Sequence, residues 1–119
     1  MTWTPATIHV LLPTDGAPAL RPTQGHTSPD APGLAIVHDE VAHLWSVTHT
    51  ASGYAIAWAV LLYQAQEAAQ ALVETGLDWT RPAAELSVDP AVVQAVAALE
   101  ARPGVSIDPP ELAGPTEAA

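Results

Sequence analysis

Large apolar side chains alternate with small or polar ones along residues 34–58, and this period of two predicts three consecutive strands of an antiparallel meander. We place one turn over residues 39–42 and the next over residues 50–53, where Gly53 supplies a positive φ. The predicted cross-strand rows are Leu34/Val47/Ile56 and Ile36/Trp45/Trp58. Because aromatic and β-branched side chains in such rows stabilise a sheet, this face is the predicted core face.

The opposite face of the predicted meander carries mostly small side chains, and it is our candidate binding face. Its members are Ala35, Val37, Leu44, Ser46, Thr48, Ala55 and Ala57. A solvated sheet face normally carries charges and longer polar chains, so this composition indicates burial against something else. In one interpretation two copies of the chain meet there as a homodimer. In the other, the first strand, the proline-rich segment or the second helix covers the face within one chain.

The segment before the meander is divided by its prolines. Residues 7–12 predict a first strand that Pro13 ends. Residues 13–33 contain five prolines and three glycines and predict a long loop. Loops of this length are uncommon inside a compact domain, so the segment is either a mobile excursion or a binding loop.

Two helices follow the meander. An apolar stripe of Leu61, Ala65, Ala68, Leu72 and Val73 predicts the first over residues 59–75, with Gly76 as its C-terminal cap. Trp79, just past that cap, is predicted to fold back into the core. Asp89 as N-cap and Pro90 at the first helical position predict the second helix, with its run over residues 91–101.

The predicted fold class is α+β: an antiparallel meander of three to four strands with two helices packed mainly on one face. Residues 1–103 form the predicted single domain, and residues 104–119 a flexible acidic tail. The residues predicted to be largely buried are Trp45, Val47, Ile56, Trp58, Leu61, Leu72 and Trp79. Trp3, near the terminus, has no predicted role in the core.

The charge balance limits the classes of partner. Thirteen acidic residues against three arginines and no lysine give a net charge of −10, which disfavours direct binding to nucleic-acid phosphates. One interpretation of the acidity is solubility; the other is attraction to a basic partner, including mimicry of nucleic acid. The acids are spread singly along the chain, which weakens the mimic interpretation.

Compartment and membrane signals are few. The chain has no cysteine, which excludes disulfides, thiolate metal sites and cysteine nucleophiles. Residues 1–5 lack the basic start and long apolar run of a signal peptide. The most apolar run, residues 54–63, is about half the length needed to span a bilayer. We therefore expect a cytoplasmic protein that does not bind membranes.

Two groups of residues carry side chains that could support chemistry. His38 and His43, flanked by Asp39 and Glu40, have the side-chain types of a zinc site, but one residue too many separates the histidines for the His-Glu-x-x-His helix motif. We therefore expect solvated turn residues and no metal or other cofactor. The metal-ligand alternative stays open at these four positions.

The second group lies at the other hairpin end, where His49 pairs with Tyr54 near Ser52. Acyl transfer by a Ser–His pair also needs an orienting acid and an oxyanion hole. The chain has no Gly-x-Ser-x-Gly elbow, and residues 50–53 are explained as a turn. We expect no catalytic residues here.

One longer pattern carries a resemblance. The run Trp45-Ser46-Val47-Thr48-His49, the Ser52-Gly53 turn, a helix and then Leu77-Asp78-Trp79 are combined over residues 45–79. This segment resembles small uncharacterised α+β proteins of phages and bacterial mobile elements. The resemblance implies an accessory protein of that origin and carries no activity with it.

The predicted function is a non-enzymatic protein-binding or adaptor module. An alternative is an acidic inhibitor or nucleic-acid mimic that targets a basic, nucleic-acid-binding partner. A second alternative, from a different class, is a small metal-dependent hydrolase that uses His38 and His43.

Overall fold

The computed structural model describes residues 2–12, 19–40 and 42–108, and within them the chain is an α+β fold with one antiparallel sheet. The six strands of this described part lie side by side in chain order. They are β1 (Thr4–Leu12), β2 (Ala19–Thr27), β3 (Leu34–Asp39), β4 (Leu44–His49), β5 (Ala55–Ala59) and β6 (Val105–Ser106). The α+β class is confirmed, and the sheet has more strands than the predicted three or four.

Three α-helices lie in the same described part of the chain: α1 (Leu62–Glu74), α2 (Ala83–Leu86) and α3 (Pro90–Ala97). A 3-10 turn over Ala98–Ala101 continues α3. The predicted cap of α3 is confirmed, because Asp89 Oδ1 accepts the N–H of Ala91 at 2.9 Å. α1 begins later than predicted, since Ala59 belongs to β5. Gly76 follows the end of α1 with a φ of 76°, as its predicted capping role requires.

The predicted loop over residues 13–33 is wrong where β2 runs through it. β2 pairs with β1 along its whole length, but it pairs with β3 only over Gly25–Thr27. Pro22 therefore lies where β2 has a single neighbouring strand, a position that tolerates a missing N–H. Residues 13–18 lie outside the described part of the chain.

The first predicted turn is one residue too early. Pairing runs from Leu34↔His49 to Asp39↔Leu44, so the turn covers residues 40–43. His43 takes a positive φ of 57°, and Asp39 Oδ1 accepts the N–H of Ala42 at 3.0 Å, which closes the turn. Moving the turn by one residue moves the pairing by two, so every side chain of β3 and β4 keeps its predicted face.

The loop of the second predicted turn is confirmed, but the predicted pairing of β4 with β5 beyond it is wrong. Gly53 has a φ of 78°, and Thr48 pairs with Ala55 as predicted. Ile56 is then an extra residue, because the next pair is Val47↔Ala57. This β-bulge turns Ala57 to the core face and Trp58 away from it, the reverse of the prediction.

The main core lies between the sheet and α1. The alanines of α1 that face the sheet, Ala65, Ala68 and Ala69, are fully buried, and Leu72 is 1% exposed. Trp79 folds back as predicted, is 3% exposed and donates its Nε1–H to the carbonyl oxygen of Leu72 at 2.9 Å. Three members of the predicted core, Trp45, Ile56 and Trp58, are half-buried, and Leu61 is exposed because it precedes α1.

A smaller core lies on the other face of the sheet. Ile8 of β1 packs with Ala35 and Val37, so the first strand covers this face within one chain. Gly25 permits the approach, since a Cβ there would lie 2.8 Å from Ile8 Cγ1 and 2.9 Å from the Ile36 carbonyl oxygen. The fold therefore favours the intrachain covering over an open face.

Both ends of the described chain add to the main core. Trp3 packs against it, although the sequence predicted no such role. Past residue 103, where the flexible tail was predicted to begin, Val105–Ser106 pairs with β5 and Ile107 packs against the core. The rest of the predicted tail, from residue 109 onward, lies outside the described residues.

Candidate functional site

A largely apolar groove of about 350 Å³ opens between the end of the β4–β5 hairpin and the helices α2 and α3. Its apolar lining comes from Ile56, Trp79, Ala83, Leu86, Val92, Val93, Val96, Ala97 and Ile107. His49, Ser52, Tyr54 and Ser87 supply its polar atoms. A concave apolar surface with a few polar groups is the usual form of a binding site, so this groove is the candidate site.

The groove exists because the bulge and the short helices leave the sheet incompletely covered. The bulge leaves Ile56 half-buried and packed against the main core, where it lines the groove. α2 has four residues and buries one of them, Leu86, while α3 buries Val92. The stretch from Trp79 to Leu86 therefore forms one wall and α3 another, with space between them and the hairpin.

An ion pair ties these walls together. Arg81 Nη2 donates to Asp89 Oδ2 at 3.1 Å, and both side chains are partly exposed. The backbone N–H of Ala91 and the Arg81 guanidinium hold the pKa of Asp89 below its ordinary value. In the same segment, the hydroxyl and the N–H of Thr80 donate to Asp78 and lower its pKa. The ionised carboxylates thus stabilise the wall.

His49 forms the polar end of the groove and is 3% exposed. Its Nε2 lies 2.8 Å from the carbonyl oxygen of Arg81, which can only accept a hydrogen bond, so Nε2 carries the hydrogen. Its Nδ1 lies 2.7 Å from Ser52 Oγ. Ser52 Oγ in turn accepts the N–H of Tyr54 at 3.2 Å. The ring therefore connects the hairpin turn to the groove wall, which is a structural role.

The structure brings Ser52 and His49 together, but the described residues around them do not supply the other parts of an acyl-transfer site. The group that orients the imidazole is the backbone carbonyl of Arg81 rather than a carboxylate. The N–H of Tyr54 is committed to Ser52 Oγ itself, and the Ser87 hydroxyl donates to the Ala84 carbonyl oxygen. These two donors are thus not aimed at a developing oxyanion.

The metal-ligand alternative loses its predicted geometry. His38 pairs across the strands with Trp45 and not with His43. The centroids of the His38 and Trp45 rings are 4.6 Å apart. His43 sits in the turn, and Asp39 accepts the N–H of Ala42 there. Among the described residues no three histidine, aspartate or glutamate side chains are grouped to hold a metal ion.

The residues of the predicted binding face are mostly inside the molecule. Ala35, Val37, Ser46, Thr48 and Ala57 are buried, while Leu44 and Ala55 are half-buried. The hydroxyl groups of Ser46 and Thr48 form a hydrogen bond, with their oxygens 3.0 Å apart. Ala57 lies on the core face because of the bulge. A partner at this face stays a prediction, and it would meet Leu44 and Ala55 first.

Exposed apolar side chains continue the groove outward. Tyr54 and Val93, which line it, are 56% and 54% exposed. The exposed acids Glu85 and Asp108 directly adjoin the lining residues Leu86 and Ile107 in the chain. The groove thus has a largely apolar lining, and an exposed acid is the chain neighbour of two of its lining residues.

Sequence reasoning missed this site because its members are far apart in the chain. The apolar positions of α3 were visible, but the pattern does not say that Val93 and Val96 border open space. Ile107 was assigned to the tail. Residues 83–86 carry no side-chain cap that would indicate α2, so the sequence offers no local signal for this wall of the groove.

Comparisons with known proteins identify no relative. No family model matches this chain, and neither a curated protein nor a solved structure is significantly similar to it. The resemblance of residues 45–79 to proteins of phages and mobile elements therefore stays a prediction. None of the helices in the described part of the chain is long and apolar enough to cross a membrane.

Proposed function

We propose that this protein is a non-enzymatic protein-binding module and that the groove between the β4–β5 hairpin and α2–α3 takes an apolar segment of its partner. The observation that carries the proposal is the apolar groove of about 350 Å³ with Tyr54 and Val93 exposed at its border. Tyrosine is among the residues enriched at the energetic centres of protein interfaces, and exposed apolar surface beside a pocket is typical of interaction sites.

The charge of the chain selects the partner chemistry. With a net charge of −10, and with exposed acids next to two lining residues in the chain, the surface attracts a segment whose apolar residues are flanked by lysine or arginine. Arg81, in the segment that forms one wall, is paired with Asp89 and does not oppose this attraction. This proposal keeps the adaptor function and gives the acidity a role in partner choice. An inhibitor of a basic, nucleic-acid-binding protein would be one special case of this proposed function.

Three synthetic peptides test the proposal directly. They share one run of leucine and valine and are flanked by lysines, serines or glutamates. We expect the lysine-flanked peptide to bind most tightly and its affinity to fall as salt is added, because salt screens the attraction. Fluorescence anisotropy or calorimetry measures the three dissociation constants.

A matched pair of variants locates the binding. Val93→Gln removes an exposed apolar side chain from the groove, and Val88→Gln removes an even more exposed valine that does not line it. We expect the first to weaken peptide binding about tenfold, the effect of losing about 1.4 kcal/mol, and the second to leave it unchanged. Equal affinity for all three peptides, or equal loss in both variants, would contradict the proposal.

A further inference from the structure

The strand β1 forms one edge of the described sheet and differs from the opposite edge. β1 has nine residues, whereas β6 has two. β1 pairs with β2 on one side, and its outward N–H and C=O groups lie along the edge. Such an edge is a template for a further strand unless something protects it.

The usual protective devices are sparse in β1. Proteins protect edge strands with charged side chains, prolines, bulges or short length. β1 carries no aspartate, glutamate, lysine or arginine, its one proline is Pro5 near its start, and its pairing with β2 runs without a bulge. In a chain with a net charge of −10, this uncharged stretch lets two copies approach with little local repulsion.

The arm formed by β1 and β2 also lacks a third strand. β2 reaches β3 only from Gly25 onward, so the pairs from Thr7↔Gln24 to Leu12↔Ala19 belong to a two-stranded ribbon. A ribbon of two strands is marginally stable in water, and three or more strands are needed for independent stability. The arm is therefore the part of the sheet that gains most from another strand.

We infer that β1 is an interaction surface for a second copy of this chain. Two β1 strands pair antiparallel about a two-fold axis, so that the two ribbons become one four-stranded arm. A two-fold contact closes on itself, and the two-residue β6 offers no edge long enough for a head-to-tail filament. The groove lies among other elements, so this inference is independent of the proposed function.

Lysine substitutions in β1 test the inference. Thr7 and His9 are exposed, and in any two-fold register centred on Thr7, Ile8 or His9 lysines at the two positions oppose each other. The double variant Thr7→Lys/His9→Lys is compared with Gln70→Lys/Gln94→Lys, which adds the same charge on exposed helix positions. Sedimentation velocity and light scattering give the mass over a range of micromolar concentrations.

We expect a dimer for the unmodified chain and for the helix variant, and a monomer for the β1 variant. Leu44→Glu separates the two possible surfaces: it leaves an edge dimer intact and disrupts one formed through the predicted sheet face. An unmodified chain that stays monomeric, or a β1 variant that dimerises as tightly, overturns the inference. If the β1 variant does not fold, hydrogen exchange on the unmodified chain decides, since β1 amides must gain protection with protein concentration.

Discussion

The two ends of the helix-covered sheet face are packed in opposite ways. Under α1 the contact is made by Ala65, Ala68 and Ala69, which are fully buried, so the helix backbone lies close to the sheet. Beside α2 and α3 the packing is less complete: Leu86 and Val92 are buried in the main core and Val96 packs against it, yet a groove of about 350 Å³ stays open next to them. The same face is thus both a sealed core and an open site.

The difference shows what determines where binding is possible. α1 is 13 residues long with one continuous buried stripe, whereas α2 and α3 have four and eight residues and bury one side chain each. Beside these two short helices, Tyr54 and Val93 line the groove and stay exposed. Incomplete covering leaves apolar surface exposed, and the proposed binding function rests on that surface.

The largest expected effect comes from Trp79, which borders both ends. Trp79→Ala removes a side chain that is 3% exposed, and we expect it to lower the free energy of unfolding by about 3–5 kcal/mol. Trp79→Phe is the control, because it keeps one aromatic ring in the core; it loses the hydrogen bond to Leu72, worth about 1 kcal/mol, and part of the packing, so its loss should be smaller than that of Trp79→Ala. Urea denaturation measures both. If both variants lose the same free energy of unfolding, then packing of the Trp79 side chain is not what stabilises this part of the core.

A smaller effect distinguishes the sealed end from the open one. Ala68→Leu inserts a larger side chain where none of Ala68 is exposed, and we expect a loss of about 1–3 kcal/mol. Ala97→Leu makes the same change on an exposed position that lines the groove, and we expect nearly unchanged stability with weaker binding of the lysine-flanked peptide. Thermal unfolding and peptide titration measure the pair. If Ala97→Leu destabilises as much as Ala68→Leu, the groove is not open.

The smallest expected effect concerns pH at the open end. Because the folded-state pKa of Asp89 is lowered, its contribution to stability is present above the ordinary carboxyl pKa of about 4 and is lost as the pH falls further. Asp89→Asn keeps a good N-cap and removes the charge that pairs with Arg81, so it should flatten this part of the stability–pH curve. Thermal unfolding between pH 3 and 7, followed by circular dichroism, gives the comparison. An unchanged curve would show that the pair does not hold the groove wall.

Much of the fold is predictable from local patterns. The alternation along β3 and β4 places Leu34, Ile36 and Val47 in the core, and it does so even though the turn is one residue later than predicted. The roles of the cap Asp89 and the turn glycine Gly53 depend only on residues near them in the chain, so the sequence alone predicts them. Trp79 is predictable because a large aromatic just past a helix end has few alternatives to the core.

Tertiary structure alone decided the features that build the candidate sites. The bulge at Ile56 exchanges the faces of Ala57 and Trp58, and β2 becomes a strand because β1 pairs with it despite Pro22. The groove draws on side chains from His49 to Ile107 that no local pattern connects. The sequence determined which faces are apolar, because that depends on residue period. The three-dimensional packing determined which of those faces stay open, because covering depends on contacts between segments distant in the chain.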